Sequence, residues 1–194
     1  MQGRLNFPPP ICHRLGSLAF RARAESDVEA FLDYFHNSAP SRFEAIGIDM
    51  KRFPSREENR ERMLKACNLD SPTVVSITLD SEIIGHSSLN PLNPGVDAGV
   101  HFQIWRENLE RQGLAQALAL PLLTFWFRLY SLQSIYAEAS ADHAAVNALM
   151  QSFSVPSLGT RIAPSSTFLK ERLVHRYQVT RKWLENRGGL NLEI

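Results

Sequence analysis

The spacing of apolar residues changes repeatedly along the chain between a period of two and a helical period. Segments with alternating apolar and polar residues predict β-strands. They are residues 18–24, 73–79, 82–89, 100–105 and 134–139, with 155–161 and 172–180 as a closing pair. Segments with apolar residues every three or four positions predict helices, and these are residues 28–35, 114–129 and 144–153. Strands and helices are interspersed without repeats, so the pattern predicts one α+β domain.

Short-range signals refine the ends of these elements. Ser26 with Glu29, and Ser55 with Glu58, each have the spacing of a capping box, which predicts two helix starts. Residues 80–81 separate two strands and predict a two-residue hairpin. Pro121 lies inside the long apolar helix, where it predicts a kink or the end of a first helical segment.

The same pattern sets the predicted domain boundaries. Residues 1–17 contain three consecutive prolines and no periodicity, which predicts an extended or partly disordered leader. Residues 18–183 form the predicted domain, and residues 184–194, which are polar and contain glycine, form a predicted loose tail.

Composition excludes several classes of function. The 21 Lys and Arg residues balance 20 Asp and Glu residues, so neither nucleic acid nor an anionic membrane is a predicted partner, and a strongly acidic partner is disfavoured. Cys12 and Cys67 lie far apart and match no metal-ligand spacing, so no metal is predicted. The most apolar run, residues 114–132, is interrupted by polar residues and predicts a buried helix, not a membrane span. We expect a cytoplasmic protein.

The stretch from residue 100 to 130 carries the main candidate for binding chemistry. A strand is followed by the polar residues 106–112, then by Gly113, and then by the long helix. A helix start after a tight turn directs several free backbone N–H groups to one point, which favours an anion such as phosphate. The alternative is a helix that begins at a glycine without any ligand.

The order of the predicted elements resembles that of the GNAT superfamily of acyl-CoA N-acyltransferases. The pyrophosphate loop of that family follows Gln/Arg-x-x-Gly-x-Gly/Ala, which Gly113 and Ala115 match and Glu110 does not. Residues 101–105 end in Ile-Trp, as in the branch that resembles ribosomal-protein acetyltransferases. The helix at residues 143–155 keeps the register of that branch, although Ser and Val replace its final Gly-Phe.

This resemblance implies a mixed, mostly antiparallel central sheet flanked by helices. It also implies acetyl-CoA as co-substrate, with direct transfer of the acetyl group to a small-molecule or peptide amine. The implied cofactor-binding residues are Gln103, Ile104 and Trp105 for the pantetheine arm, and Arg111, Gln112, Gly113, Leu114, Ala115, Gln116 and Ala117 for the pyrophosphate. Asn147, a polar residue on an otherwise apolar helix, is a further candidate for a cofactor contact, and the alternative is a residue that faces solvent. Acceptor specificity is expected from the loops at residues 38–53, 89–97 and 156–169, and a homodimer is a further expectation.

Three residues are candidates for the catalytic base. His101 and His86 lie in neighbouring predicted strands, and a neutral imidazole is a competent base near pH 7. Glu138, in the next strand, is a candidate that acts through water. Each has a structural alternative: a packed strand histidine for His101, a half-exposed one for His86, and an arginine partner for Glu138. The family's tyrosine acid corresponds here to Met150, which cannot donate a proton.

Two other functions therefore stay open at this stage. One is a catalytically weak or inactive GNAT-like module that binds CoA or a partner. The other is an unrelated α+β domain in which Gly113 only starts a helix.

Overall fold

The alternating segments pair into a single eight-stranded sheet in the computed structural model, which describes residues 5–67 and 72–189. The strands are β1 (Ile11–His13), β2 (Gly16–Ala22), β3 (Val74–Leu79), β4 (Glu82–Asn93), β5 (Asp97–Ile104), β6 (Ser134–Ser140), β7 (Ser157–Ala163) and β8 (Arg172–Thr180). Their order is β1-β2-β3-β4-β5-β6-β8-β7. Among the described strands only β5 and β6 pair in parallel, which confirms the predicted mixed, mostly antiparallel sheet.

Helices cover both faces of the sheet. They are α1 (Val28–Asn37), α2 (Pro40–Ala45), α3 (Arg56–Cys67), α4 (Leu114–Leu129), α5 (Ala144–Ser152) and α6 (Arg181–Glu185). Phe31 of α1 contacts the ring of His86 on one face, whereas Trp126 of α4 donates a hydrogen bond to Ser87 on the other. Because successive strand residues point to opposite faces, these contacts place α1 and α4 on opposite sides. No helix in the described residues has both the length and the apolar character of a membrane span.

The long helix α4 supplies the main apolar stripe of the core. Leu118 and Trp126 are fully buried, and Leu114, Leu122 and Phe125 nearly so. Burial of each such side chain stabilises the fold by about 1.5–3 kcal/mol. The helix continues through Pro121, so the predicted end of a first segment is not observed. Proline removes one backbone donor, but the buried residues on either side of it hold both halves of the helix against the sheet.

Two short-range predictions are confirmed. The backbone N–H of Ser55 donates to Glu58 Oε2 at 2.8 Å, and the N–H of Glu58 donates back to Ser55 Oγ at 3.3 Å, which completes the predicted capping box. Asp80 and Ser81 have φ angles of 48° and 71° between β3 and β4, as a tight hairpin turn requires.

The capping box predicted at Ser26 and Glu29 is not formed. A single 3₁₀ turn, Glu25–Asp27, precedes α1, and Asp27 accepts a hydrogen bond from the N–H of Ala24 at 2.9 Å. Asp27 is only 3% exposed and its carboxylate pairs with Arg21 at 2.7 Å. A buried, charge-paired carboxylate is a stronger acceptor than an exposed hydroxyl, so it determines where the turn begins.

The described parts of both terminal segments pack against the domain. Residues 5–17 include β1, and the ring of Phe7 stacks on Phe125 with the centroids 4.8 Å apart. Residues 184–189 follow a buried tryptophan, and Leu184 is itself fully buried. The outermost residues of both segments lie outside the described chain, and the domain boundaries stay predictions.

Candidate active site

The parallel strands β5 and β6 separate after only three paired residues. Their pairing ends at Gly99 and Tyr136. Beyond that point β5 stays paired with β4 through Ile104, while β6 stays paired with β8 through Ser140. The two strands therefore diverge and leave one edge of β5 without a neighbouring strand. Such an edge can pair with an extended ligand as an added strand does.

The register of β4 and β5 determines which main-chain groups face this gap. The N–H of Trp105 donates to the carbonyl of Ile84 at 2.8 Å. Main-chain groups alternate in direction along an antiparallel strand, so those of Phe102 and Ile104 point away from β4 and into the gap. Of the three residues predicted to pair with pantetheine, Ile104 is thus suitably directed. Gln103 and Trp105 direct their main chain towards β4, and Phe102, which the sequence pattern did not single out, directs its main chain into the gap. The contacts with pantetheine stay predictions.

The turn before α4 has the geometry of an anion cradle. Gly113 is the N-cap residue with a φ of 83° in the left-handed region, and Arg111 has a φ of 58°. The N–H of Ala117 makes the first hydrogen bond of the helix, to the carbonyl of Gly113 at 2.9 Å. No side chain among the described residues caps this end. The N–H groups of residues 114–116 therefore lack helix acceptors at the positive end of the helix dipole.

Two arginines contact polar side chains of this turn. Arg42 of α2 pairs with Glu107 at 3.1 Å and with Glu110 at 3.0 Å. Arg14 donates a hydrogen bond to the side-chain oxygen of Gln112. Glu110, which departs from the family pattern, is thus held by a cation, so its charge does not stand alone beside the cradle.

An apolar cavity of about 60 Å³ lies between the diverging strands and the two helices α4 and α5. Val100 of β5, Ala137 of β6 and Leu120 of α4 contribute to its lining. Met150 also lines it, so the position that resembles the family's acidic tyrosine contributes an apolar wall and no proton donor.

Asn147 is fully engaged by the protein itself. Its Nδ2 donates to the carbonyls of Ser140 and Ala141, both at 3.2 Å, and its Oδ1 accepts from the hydroxyl of Tyr177 at 3.0 Å. These bonds tie α5 to the end of β6 and to β8. These contacts brace α5, and the contact of Asn147 with cofactor stays a prediction.

His101 has the geometry of a base. It lies on the sheet face opposite the cavity, and its Nε2 lies 3.2 Å from the carbonyl of Asn90. A carbonyl only accepts, so Nε2 carries the proton and Nδ1 keeps a free lone pair. Desolvation by the surrounding protein lowers the pKa of His101, and the bond to Asn90 partly offsets this effect. The ring is therefore neutral near pH 7.

His86 lies on the same face but in a different environment. It is 8% exposed, and its Nδ1 accepts a hydrogen bond from the indole N–H of Trp105 at 3.0 Å. Burial lowers the pKa of His86 to about 3. A neutral ring that accepts at Nδ1 carries its proton on Nε2, so no lone pair is left to take a proton from a substrate. The alternative of a half-exposed histidine is wrong as well, because the ring is buried.

Glu138 is the partner of two arginines. Its carboxylate lies 2.7 Å from Arg161 of β7 and 3.3 Å from Arg176 of β8, and its side chain is 19% exposed. The guanidinium of Arg176 also lies over the ring of Tyr136, 3.9 Å from the centroid. The geometry of Glu138 therefore matches the structural alternative, that of an arginine partner across the strands.

A mixed sheet that splits beside an uncapped helix start is the arrangement expected of an acyl-CoA N-acyltransferase. The family described as "Acetyltransferase (GNAT) domain" matches residues 17–153, so the chain belongs to the GNAT acetyltransferase family. No curated protein matches the sequence.

Solved structures of the same fold include enzymes with different acceptors. Mycobacterium smegmatis RimJ, solved with a CoA disulfide, is 13% identical with a TM-score of 0.73, over 97% of this chain and 96% of that one. RimL, a ribosomal L7/L12 alpha-N-protein acetyltransferase solved with coenzyme A, is 20% identical with a TM-score of 0.68, over 84% and 93%. Spermidine N-acetyltransferase SpeG from Vibrio cholerae is 16% identical with a TM-score of 0.70, over 88% and 98%. At these identities the likeness establishes the shared fold.

Proposed function

We propose that this GNAT acetyltransferase transfers the acetyl group of acetyl-CoA directly to an amine, with the N–H groups of residues 114–116 holding the pyrophosphate. The observation that carries the proposal is the uncapped start of α4 beside the open edge of β5. Free N–H donors and the positive helix end suit an anion. The apolar cavity further along α4, at Leu120 and Leu123, suits the less polar arm of the same molecule.

The open strand edge supports the orientation of the pantetheine arm. The main-chain groups of Phe102 and Ile104 face the gap, and they match the donors and acceptors of the amides in that arm. N–H groups on this edge are also the available donors for the oxyanion that forms when an amine attacks the thioester. Trp105, held by His86, would keep the end of β5 in place.

His101 is the base that we propose. Its free Nδ1 would take a proton from the attacking amine, while the Asn90 carbonyl keeps the proton on Nε2. Glu138 would hold its two arginines in place, and Asn147 would brace α5 against the sheet. With Met150 at the tyrosine position, we infer that the leaving thiolate takes its proton from solvent.

The acceptor is an amine whose identity we leave open between a small molecule and a peptide. RimL acts on a ribosomal protein and SpeG on spermidine, and these two fold neighbours represent the two classes. A homodimer and a cytoplasmic location stay predictions.

Thermal unfolding with and without acetyl-CoA, followed by a thiol-release assay over a panel of amines, tests the proposal. Ligand at about 100 times its dissociation constant should stabilise the protein by about 2.7 kcal/mol. His101→Gln should keep this shift and lose turnover. The absence of a shift at saturating ligand would reject the cofactor site. A shift without thiol release on any amine would favour the alternative of an inactive CoA-binding module.

A further inference from the structure

Arg172 lies at the entrance to the sheet face that carries His101. Ser140, the last residue of β6, pairs with Val174, so Arg172 lies two residues, or roughly 7 Å, beyond the end of β6. Arg176 and Glu138 are directly paired, and Arg172 precedes Arg176 by four residues, so all three share one face.

The guanidinium of Arg172 is held without an anionic partner. Its Nε is buried and has no hydrogen-bond acceptor, and within the described chain Arg172 makes no ion pair. Arg161 and Arg176, by contrast, share the carboxylate of Glu138. A buried donor without an acceptor is unfavourable, so the described chain does not fully satisfy this guanidinium.

Gly47 makes room for this guanidinium. A Cβ at that position would lie 2.6 Å from Cδ and 2.7 Å from Nη1 of Arg172, so any side chain there would displace the arginine. The φ of Gly47 is 84°, which also favours glycine. The Arg172 side chain therefore packs against the backbone at Gly47, in space that a side chain at position 47 would occupy.

Both loops beside Arg172 belong to the predicted acceptor side. The N–H of Lys170 donates to the carbonyl of Gly47 at 2.8 Å, and Ile48 forms a bridge with Leu169. Arg52 adds a hydrogen bond to the carbonyl of Leu169 at 2.9 Å. These contacts fix the loop before β8 against the loop after α2, with Arg172 at their junction.

Arg172 is also electrostatically coupled to the proposed base. Its positive charge contributes to lowering the pKa of His101, and Glu138 acts on both groups in the opposite direction. An anion bound by Arg172 would lie on the sheet face that carries His101. The balanced net charge of the whole chain does not predict an anion site here. The excess of positive charge is local, with Arg161, Arg172 and Arg176 around the single carboxylate of Glu138.

We propose that Arg172 binds a carboxylate of the acceptor, so that the preferred substrate is an amine that carries an acidic group close to the reacting nitrogen. A guanidinium presents paired N–H donors that match the two oxygens of a carboxylate. The carboxylate can come from an acidic residue beside a peptide N-terminus or from an amino acid itself. The inference rests on the proposed function, since it concerns the acceptor side of the same site.

Affinity for bisubstrate analogues tests this without requiring turnover. CoA is joined through an acetyl bridge to the N-terminus of a tripeptide with glutamate at its second position, and to a matched tripeptide with glutamine there. A second pair uses β-alanine and its amide. Calorimetry with the wild type should favour the acidic member of at least one pair by about tenfold or more. The pair that discriminates identifies the source of the carboxylate.

Three variants complete the test. Arg172→Gln should abolish the preference for the acidic analogue. Arg172→Lys keeps the positive charge but not the paired N–H donors of the guanidinium, so it should retain only part of the preference. Arg62→Gln removes an exposed cation from α3 and should keep the full preference. Equal affinities within both pairs, or a preference that survives in folded Arg172→Gln, would overturn the inference. Lack of binding by CoA itself would instead reject the proposed function on which it rests.

Discussion

Two substitutions of Gly113 distinguish the effect of charge from the effect of side-chain size at the proposed pyrophosphate cradle. A Cβ at this glycine would meet only His13, with Nε2 at 3.8 Å, so there is space for a side chain. The left-handed φ of 83° remains, and it costs a residue with a Cβ about 1–2 kcal/mol. Gly113→Gln and Gly113→Glu share this strain and nearly the same volume. They therefore differ mainly in one negative charge at the helix start.

The expected effect of that charge is large. A carboxylate about 5 Å from one pyrophosphate charge, at an effective dielectric constant of about 20, costs about 3 kcal/mol. That energy corresponds to about two orders of magnitude in the dissociation constant of CoA. Salt should reduce the difference, because the turn is close to solvent.

Calorimetric titration with CoA, at low and high salt, measures this directly. Gly113→Ala and Gly113→Gln should bind CoA more weakly than the wild type by a small factor, and Gly113→Glu about a hundredfold more weakly than Gly113→Gln. Thermal unfolding without ligand should give similar melting temperatures for the two larger variants. Equal CoA affinities of folded Gly113→Gln and Gly113→Glu would show that the pyrophosphate does not lie at this turn.

Three further predictions concern titratable residues of the site. His101→Gln should lower kcat by about 10²–10⁴-fold. It should also remove the acidic limb of the kcat/KM profile, which in the wild type should lie below pH 6.5 because the pKa of His101 is lowered. An acidic limb that persists in the variant would exclude His101 as the base. For His86, with a pKa of about 3 when folded against 6.5 for the free side chain, neutral imidazole is favoured by folding. Its stability contribution is therefore complete above pH 6.5 and is lost as pH falls towards 3, by up to about 1.4 kcal/mol per pH unit. Urea unfolding of His86→Gln should show a shallower pH dependence than the wild type, and identical slopes would contradict the burial argument. Glu138→Gln should cost roughly 1 kcal/mol of stability with kcat changed only a few-fold; a loss of kcat as large as that of His101→Gln would restore Glu138 as a catalytic candidate.

Features that depend on a few neighbouring residues were predictable from the sequence. The strand and helix periods, the hairpin at residues 80–81 and the capping box at Ser55 all arise from contacts within four residues. The capping box at Ser26 was not formed because Asp27, which makes a buried hydrogen bond with Ser76 from 49 residues away, is the better acceptor. Local pattern cannot register such a competitor, since the pairing exists only after β3 has folded against β2.

The candidate site likewise contains one part that depends on local sequence and another that depends on contacts between distant residues. The turn at Gly113 that forms the proposed cradle is local, and the helix start after it was predictable from the sequence. The roles of His86 and Asn147 depend on Trp105, 19 residues from the histidine, and on Tyr177, 30 residues from the asparagine. The direction of the main-chain groups, into the gap for Phe102 and towards β4 for Gln103, depends on the register between β4 and β5. None of these pairings leaves a periodic signal.

Charge balance at the site also depends on residues distant in sequence. Glu110 contradicts the family pattern when considered alone, but Arg42, 68 residues away, supplies its counter-charge. Glu138 is likewise neutralised by arginines of β7 and β8. Both carboxylates are satisfied by the protein. Within residues 5–67 and 72–189, the N–H donors at the start of α4 have no side-chain cap, and Nε of Arg172 has no acceptor. Both groups are positive; the first follows β5 in the chain, and the second lies beyond the end of β6. This arrangement suits one anionic ligand on the cofactor side and one on the acceptor side, each completing donors that the fold leaves open.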